Sequence, residues 1–178
     1  MRKLILIMFC LPMLTIAQQT YVPDDNFESE LINLGLDSSL DDSVLTAAID
    51  TLTILQINNK AIYDLTGIED FIALKKLHCA VNALTVLDLS NNTSLDYLIC
   101  SFNQITSLDL SNNPLLTFVN CAWNQALNNL DISNNTALEW IDCSNNSLTS
   151  IDLGIKTVLN FFKAQYNQIT SIDASGCT

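Results

Sequence analysis

The sequence predicts a β-rich solenoid of stacked coils, two short parallel strands to the coil, behind a small N-terminal helical cap. Three observations predict it. The pattern Leu-x-x-Leu-x-Cys-x-x-Asn returns about every 21 residues over most of the 178-residue chain. Within each repeat the same apolar pattern returns again after about ten residues. A segment of helical patterning with no internal repeat precedes the first copy, where a stack of coils needs its open end covered.

Residues 1–17 read as a secretory signal peptide: Arg2 and Lys3, then the apolar run Leu4 to Leu14, then a small-residue cleavage site ending at Ala17. The apolar run is too short for a membrane span. Cys10 lies inside it and follows bulky Phe9, which argues against lipidation. The chain carries 7 Lys+Arg against 19 Asp+Glu. That balance excludes nucleic acid, whose phosphates are held by basic side chains, and adsorption to an anionic membrane. With 49% hydrophobic and 15% charged residues, general disorder is excluded as well. The expected location is secreted or cell-surface, with no membrane insertion once the signal is removed.

Residues 18–51 form the expected cap. Pro23-Asp24-Asp25 precedes Asn26-Phe27-Glu28, and Asp25 with Glu28 fits a capping box. Phe27, Leu31, Ile32 and Leu34 make an apolar face, and Gly35 ends the helix. A second helix is expected to start at Asp41-Asp42, with Val44, Leu45, Ala48 and Ile49 apolar. Asp37, Ser39 and Asp41 hint at a calcium loop but lack its sixth-position Gly and twelfth-position Glu, so turn chemistry is the preferred reading.

Residues 52–178 hold the repeats: a degenerate coil at 52–73, then coils at 74–94, 95–115, 116–137, 138–158 and 159–178. Leu74/Leu77/Cys79/Asn82 recurs as Leu95/Leu98/Cys100/Asn103 and Leu116/Val119/Cys121/Asn124. It continues as Leu138/Ile141/Cys143/Asn146 and drifts to Leu159/Phe162/Ala164/Asn167. The asparagines are spaced 21, 21, 22 and 21 residues apart, the extra residue falling just after Asn124. The half-repeats start at Leu84, Ile105, Leu127, Leu148 and Ile169. Period-two alternation puts the apolar pair of each half on one face, and Asn-Asn and Ser-Asn-Asn pieces break helices. No coil buries its own apolar face, so the coils must stack.

This nested pattern, L-x-x-L-x-C-x-x-N-x-L-T-x-L-D-L-S-x-N, resembles the 21-residue bacterial leucine-rich repeat of the IRREKO class, with internalin-like secreted proteins as more distant relatives. The resemblance covers about residues 52–178. Tyr21-Val22-Pro23-Asp24-Asp25-Asn26-Phe27 and Asp64-Leu65-Thr66-Gly67-Ile68-Glu69 likewise resemble the cap and first repeat of such proteins. The resemblance implies a right-handed leucine-rich repeat solenoid serving binding or adhesion, not catalysis, and no cofactor.

Three rows are expected to be structural. Asn82, Asn103, Asn124, Asn146 and Asn167 should turn inward, since an unpaired buried amide costs about 1–3 kcal/mol and a regular ladder can pair every one. Cys79, Cys100, Cys121 and Cys143 stand where a core leucine would and read as small hydrophobes: a line of thiols does not converge on zinc, and rungs about 4.8 Å apart suit a disulfide poorly. Asp88, Asp109, Asp131, Asp152 and Asp173 form an outward row that reads as a solvated acidic face, although calcium would also suit it. No other metal site and no catalytic residue is expected. His78, the lone histidine, has no nucleophile partner at a recognisable spacing.

The repeats also serve as an internal alignment. Outward positions of the second half-coil barely vary (Thr, Ser, Asp, Ser), whereas those of the first half-coil vary freely. One variable row reads Lys76, Tyr97, Phe118, Trp140, Phe161, another Val81, Phe102, Trp123, Asn145, Tyr166, and between them run His78, Ile99, Asn120, Asp142, Lys163. Exposed aromatics suit a protein or glycan ligand, while rung-on-rung stacking would merely stiffen the sheet. The leading expectation is therefore a recognition or adhesion module whose binding face comprises Tyr97, Phe118, Trp140, Phe161, Phe102, Trp123 and Tyr166. The alternatives are a structural spacer in a larger surface protein, or the noncatalytic part of an incomplete enzyme. The sequence stops partway through a coil at Thr178, and end-to-end association through an uncapped coil is a further expectation.

Overall fold

The computed structural model describes residues 17–177. The expected signal segment lies almost wholly outside them. The cap contains β1 (Gln19–Tyr21), α1 (Asp25–Asn33), β2 (Ser43–Leu45) and the one-turn α2 (Thr46–Ile49). The repeats contain β3 (Ile54–Gln56), β4 (Lys76–His78), β5 (Tyr97–Ile99), β6 (Ser107–Asp109), β7 (Phe118–Asn120), β8 (Asn129–Asp131) and β9 (Trp140–Asp142). They continue with β10 (Ser150–Asp152), β11 (Ile155–Lys156), β12 (Phe161–Lys163), β13 (Ser171–Asp173) and β14 (Gly176–Cys177).

First half-coils build one parallel six-stranded sheet, in the order β12-β9-β7-β5-β4-β3. Its register is the sequence repeat itself: Leu55 lies beside Leu77, Leu77 beside Leu98, Leu98 beside Val119, Val119 beside Ile141, and Ile141 beside Phe162. The first five are fully buried, so each rung supplies one side chain to a shared core. The second half-coils pair less continuously, as β6 with β8, β10 with β13 and β11 with β14. The coil at 74–94 has no strand in its second half, where the expectation was two strands throughout.

The cap differs from expectation in three ways. Asp24, not Asp25, caps α1: its Oδ1 accepts from the backbone N–H groups of Asn26 and Phe27. Its Oδ2 accepts from the N–H groups of Tyr63 and Asp64 in the first coil, so one buried carboxylate both starts the helix and ties it to the solenoid. Glu28 consequently closes no capping box and bonds the loop before β2 instead. Second, no helix begins at Asp41-Asp42. Val44 is buried within β2, paired antiparallel to β1, because β-branched Val44 opposite Thr20 extends a two-stranded ribbon. Third, Phe27 and Leu31 face the core as expected, but Leu34 is exposed. It is the C-cap residue, and left-handed Gly35 (φ 73°) turns the chain so that Leu36 packs back instead. Phe27 rests on Phe71 with ring centroids 6.1 Å apart, sealing the cap against the repeats.

Candidate functional site

The variable rows lie on the six-stranded sheet and on the ridge of turns that follows it. On the sheet, Tyr97, Phe118, Trp140 and Phe161 occupy equivalent positions of neighbouring strands. Their rings lie nearly parallel, with centroids 4.2, 4.2 and 4.8 Å apart. His78 extends the stack on Tyr97 at 5.2 Å, and the Lys76 ammonium sits 5.6 Å from the same ring. Burial, and then the charge of Lys76, lower the His78 pKa. The expectation of four exposed rings needs correction. Tyr97, Phe118 and Trp140 are half-buried, because rungs about 4.8 Å apart bring equivalent rings face to face; Phe161 alone of the four is exposed. At the end of this sheet, Lys163 pairs with Asp142 across one rung at 3.2 Å.

The ridge is more open. Val81, Phe102, Trp123, Asn145 and Tyr166 all have φ between 57° and 60°. Bulky residues rarely adopt this left-handed conformation. Here it is held from the next coil: the N–H groups of Val81, Phe102, Trp123 and Asn145 donate to Ser101, Ala122, Ser144 and Gln165. The same turn points the following asparagine inward and the ridge residue outward. Phe102 (50% exposed) and Trp123 (42%) stack at 5.4 Å, and Tyr166 is 80% exposed. Beside Phe102 and Trp123 runs a groove of about 580 Å³ bordered by Thr85, Gln104, Thr106 and Gln125. These four polar residues were not singled out from the sequence. Aligning the residue after each ladder asparagine would have shown the Gln104/Gln125 pair.

Beneath this surface the asparagine amides bind neighbouring coils together. Each Nδ2 donates to the carbonyl three residues earlier and to a carbonyl of the preceding coil; Asn124, for example, bonds Cys121 and Cys100 at 3.0 and 3.1 Å. The Oδ1 atoms of Asn103, Asn124 and Asn167 accept from Leu84, Ile105 and Leu148. Asn146 accepts instead from Asn124, since the extra residue of that coil displaces the usual donor. The second half-coils carry a parallel series, Asn92, Asn113 and Asn135, whose Nδ2 groups bond buried carbonyls. Buried Lys156 follows in this series and donates its ammonium to Ile132 at 2.9 Å.

The four ladder cysteines are buried, free thiols. Burial pushes Cys79 and Cys143 up to about 12 and raises Cys100 and Cys121 well above the ordinary value. The acidic row makes local turns: Asp88, Asp109, Asp131, Asp152 and Asp173 accept from the N–H groups of Ser90, Ser111, Ser133, Gly154 and Ser175. Bonds from these serines lower the Asp88, Asp109 and Asp173 pKa values. Among the described residues, no three of this row bring their carboxylates within 4.8 Å of one another.

No family model matches the chain. Over 73 residues, 41% of its length, it is 42% identical to internalin J of Listeria monocytogenes, and the match spans 8% of that protein. The solved functional domain of internalin J, which includes a cysteine ladder, covers 90% of this chain and 53% of its own at 28% identity and a TM-score of 0.52. The chain carries an internalin-like leucine-rich repeat domain. The fold of this internalin-like domain is also that of Listeria monocytogenes internalin C2, with a TM-score of 0.60 at 21% identity over 90% of this chain and 93% of the other. The Cys79 to Cys143 row of the internalin-like domain is a cysteine ladder of its own.

Proposed function

We propose that the protein is an exported, noncatalytic recognition module that binds a protein or glycan at the cell surface. The observation that carries this reading is where sequence variation falls. On the second half-coils the outward residues repeat, and their aspartates are occupied in local turns. On the first half-coils and the ridge they change from each rung to the next and include exposed Phe102, Trp123 and Tyr166. A scaffold needs repetition, whereas a binding surface needs difference. The internalin relatives and the basic-then-apolar N-terminus support export.

The two aromatic rows divide the work. The Tyr97–Phe161 stack favours stiffening, because the rings are occupied by one another. Contact with the ligand falls to the ridge and its groove, where rings lie beside amides and hydroxyls. The test is binding to immobilised glycan and surface-protein arrays, followed by Phe102→Ala/Trp123→Ala. The reading expects at least a tenfold loss on whichever probe binds, with the melting temperature nearly unchanged, as truncation of a central aromatic contact costs about 2 kcal/mol or more. Unchanged binding would move the site elsewhere. Binding to neither array would favour the spacer reading.

A further inference from the structure

Resting on the recognition reading above, we propose that the ligand is a linear, uncharged glycan, held by aromatic–glutamine pairs along the ridge. Wherever the ridge carries an aromatic ring, a glutamine follows two residues later: Phe102 with Gln104, Trp123 with Gln125, Tyr166 with Gln168. Where the ridge carries Val81 or Asn145, the same place holds Ala83 or Ser147. The turn folds alike with or without glutamine, since the N–H groups of Ala83, Gln104, Ser147 and Gln168 all donate to carbonyls of the preceding coil. The backbone of the turn thus asks for neither member of the pair. All three glutamines are exposed, and so are the three rings.

The chemistry of the pair fits a sugar. A pyranose offers an apolar C–H face and a rim of hydroxyls that both donate and accept. An aromatic ring meets the first, and a primary amide, with donor and acceptor side by side, meets the second. The Phe102 and Trp123 centroids, 5.4 Å apart, are wider than full face contact at about 3.5–4.0 Å, so these rings occupy one another less than the sheet rings do at 4.2 Å. The groove beside them, about 580 Å³, falls within the range of about 300–1,000 Å³ usual for small-ligand sites and crosses three coils, from Asn82 to Gln125. None of the residues bordering it is titratable. A basic protein drawn to this acidic chain would find no carboxylate in the groove to pair with. An acidic glycan would find no cation there, and a net charge of -12 would repel it. Uncharged hydroxyls find amides and threonines. Rungs about 4.8 Å apart are close to the length of one sugar unit in an extended chain. A glycan lying along the stack can therefore set one unit on each coil, meeting Phe102, Trp123 and, two coils on, Tyr166.

The experiment is calorimetric titration of residues 18–178 with cellohexaose, chitohexaose, maltohexaose and, as the charged control, a hexamer of galacturonic acid. At least one uncharged hexasaccharide should bind saturably, and about tenfold or more tighter than the galacturonate. Gln104→Ala/Gln125→Ala should weaken that sugar about tenfold at an unchanged melting temperature, the loss of two hydrogen bonds. Tyr166→Ala should weaken the hexasaccharide but not the corresponding trisaccharide, which cannot span from Phe102 to Tyr166. Binding that is unchanged in both variants, or equal binding of the galacturonate, overturns the assignment. So does the failure of all three uncharged sugars to give saturable heat at millimolar concentration. If no sugar binds, yet a surface protein binds the parent chain and is lost in Phe102→Ala/Trp123→Ala, the recognition reading stands and the glycan assignment falls.

Discussion

The cysteine row shows how one side chain's chemistry follows from its place in a repeat. A thiol at a core-leucine position is desolvated on all sides, so the neutral form is favoured and the pKa of Cys79 rises from 9.0 to about 12. A group whose folded pKa is raised contributes stability that is complete below the unfolded pKa. That stability is lost as pH climbs from about 9 towards 12. The fold should therefore weaken in alkali, by at most about 1.4 kcal/mol per pH unit for each buried thiol. Urea unfolding at pH 8 and pH 10.5 checks this: Cys100→Ala/Cys121→Ala should show a smaller drop than the parent chain, and an equal drop would place the alkaline sensitivity elsewhere. The cysteines' position in the core was legible because their spacing matched that of leucine. The role of Asp24 was not. Two adjacent aspartates follow Pro23, and local pattern alone does not tell which of them caps the helix. The contacts of Asp24 with Tyr63 and Asp64, 39 and 40 residues away, settle it.

At the scale of elements, the repeats were legible and the cap much less so. Each strand of the six-stranded sheet centres on a position read from the 21-residue period, because a one-residue slip would turn its apolar side chain to solvent. The cap has no second copy to compare with. Its β1–β2 ribbon is three residues long on each side and depends on a pairing across 24 residues. The junction between cap and first coil is equally nonlocal. Gly67 there has φ 101°, and a Cβ would lie 2.7 Å from the Tyr21 carbonyl oxygen. Gly67→Ala should thus destabilise the protein by more than about 1 kcal/mol, combining backbone strain with displacement of β1. Chemical denaturation measures the loss; a variant as stable as the parent would mean that the cap does not sit this closely on the first coil. The ridge was partly legible. Its variability and aromatic content can be read from the alignment of repeats, but its left-handed backbone is held from Val81 to Asn145 by hydrogen bonds donated to the next coil, and the groove exists only once two coils are stacked.

For the whole molecule, the same stacking yields both stability and a variable outer surface. Equivalent positions fall on top of one another, so inward rows become a continuous core, asparagines become hydrogen-bonded ladders, and outward rows become stripes that either repeat or vary. Burying Leu77, Leu98 and Val119 in one column frees the opposite side of each strand to change without disturbing the fold. The matched stretch is a small part of internalin J, so this domain accounts for a scaffold and a surface, not for the behaviour of a far longer protein. The central claim is that register, and it is tested most directly by a crystal structure of residues 18–178. The Cα atoms of Leu77, Leu98, Val119 and Ile141 should form a single column with successive separations of about 4.8 Å. Electron density that places these residues in separate layers, or within helices, would contradict it.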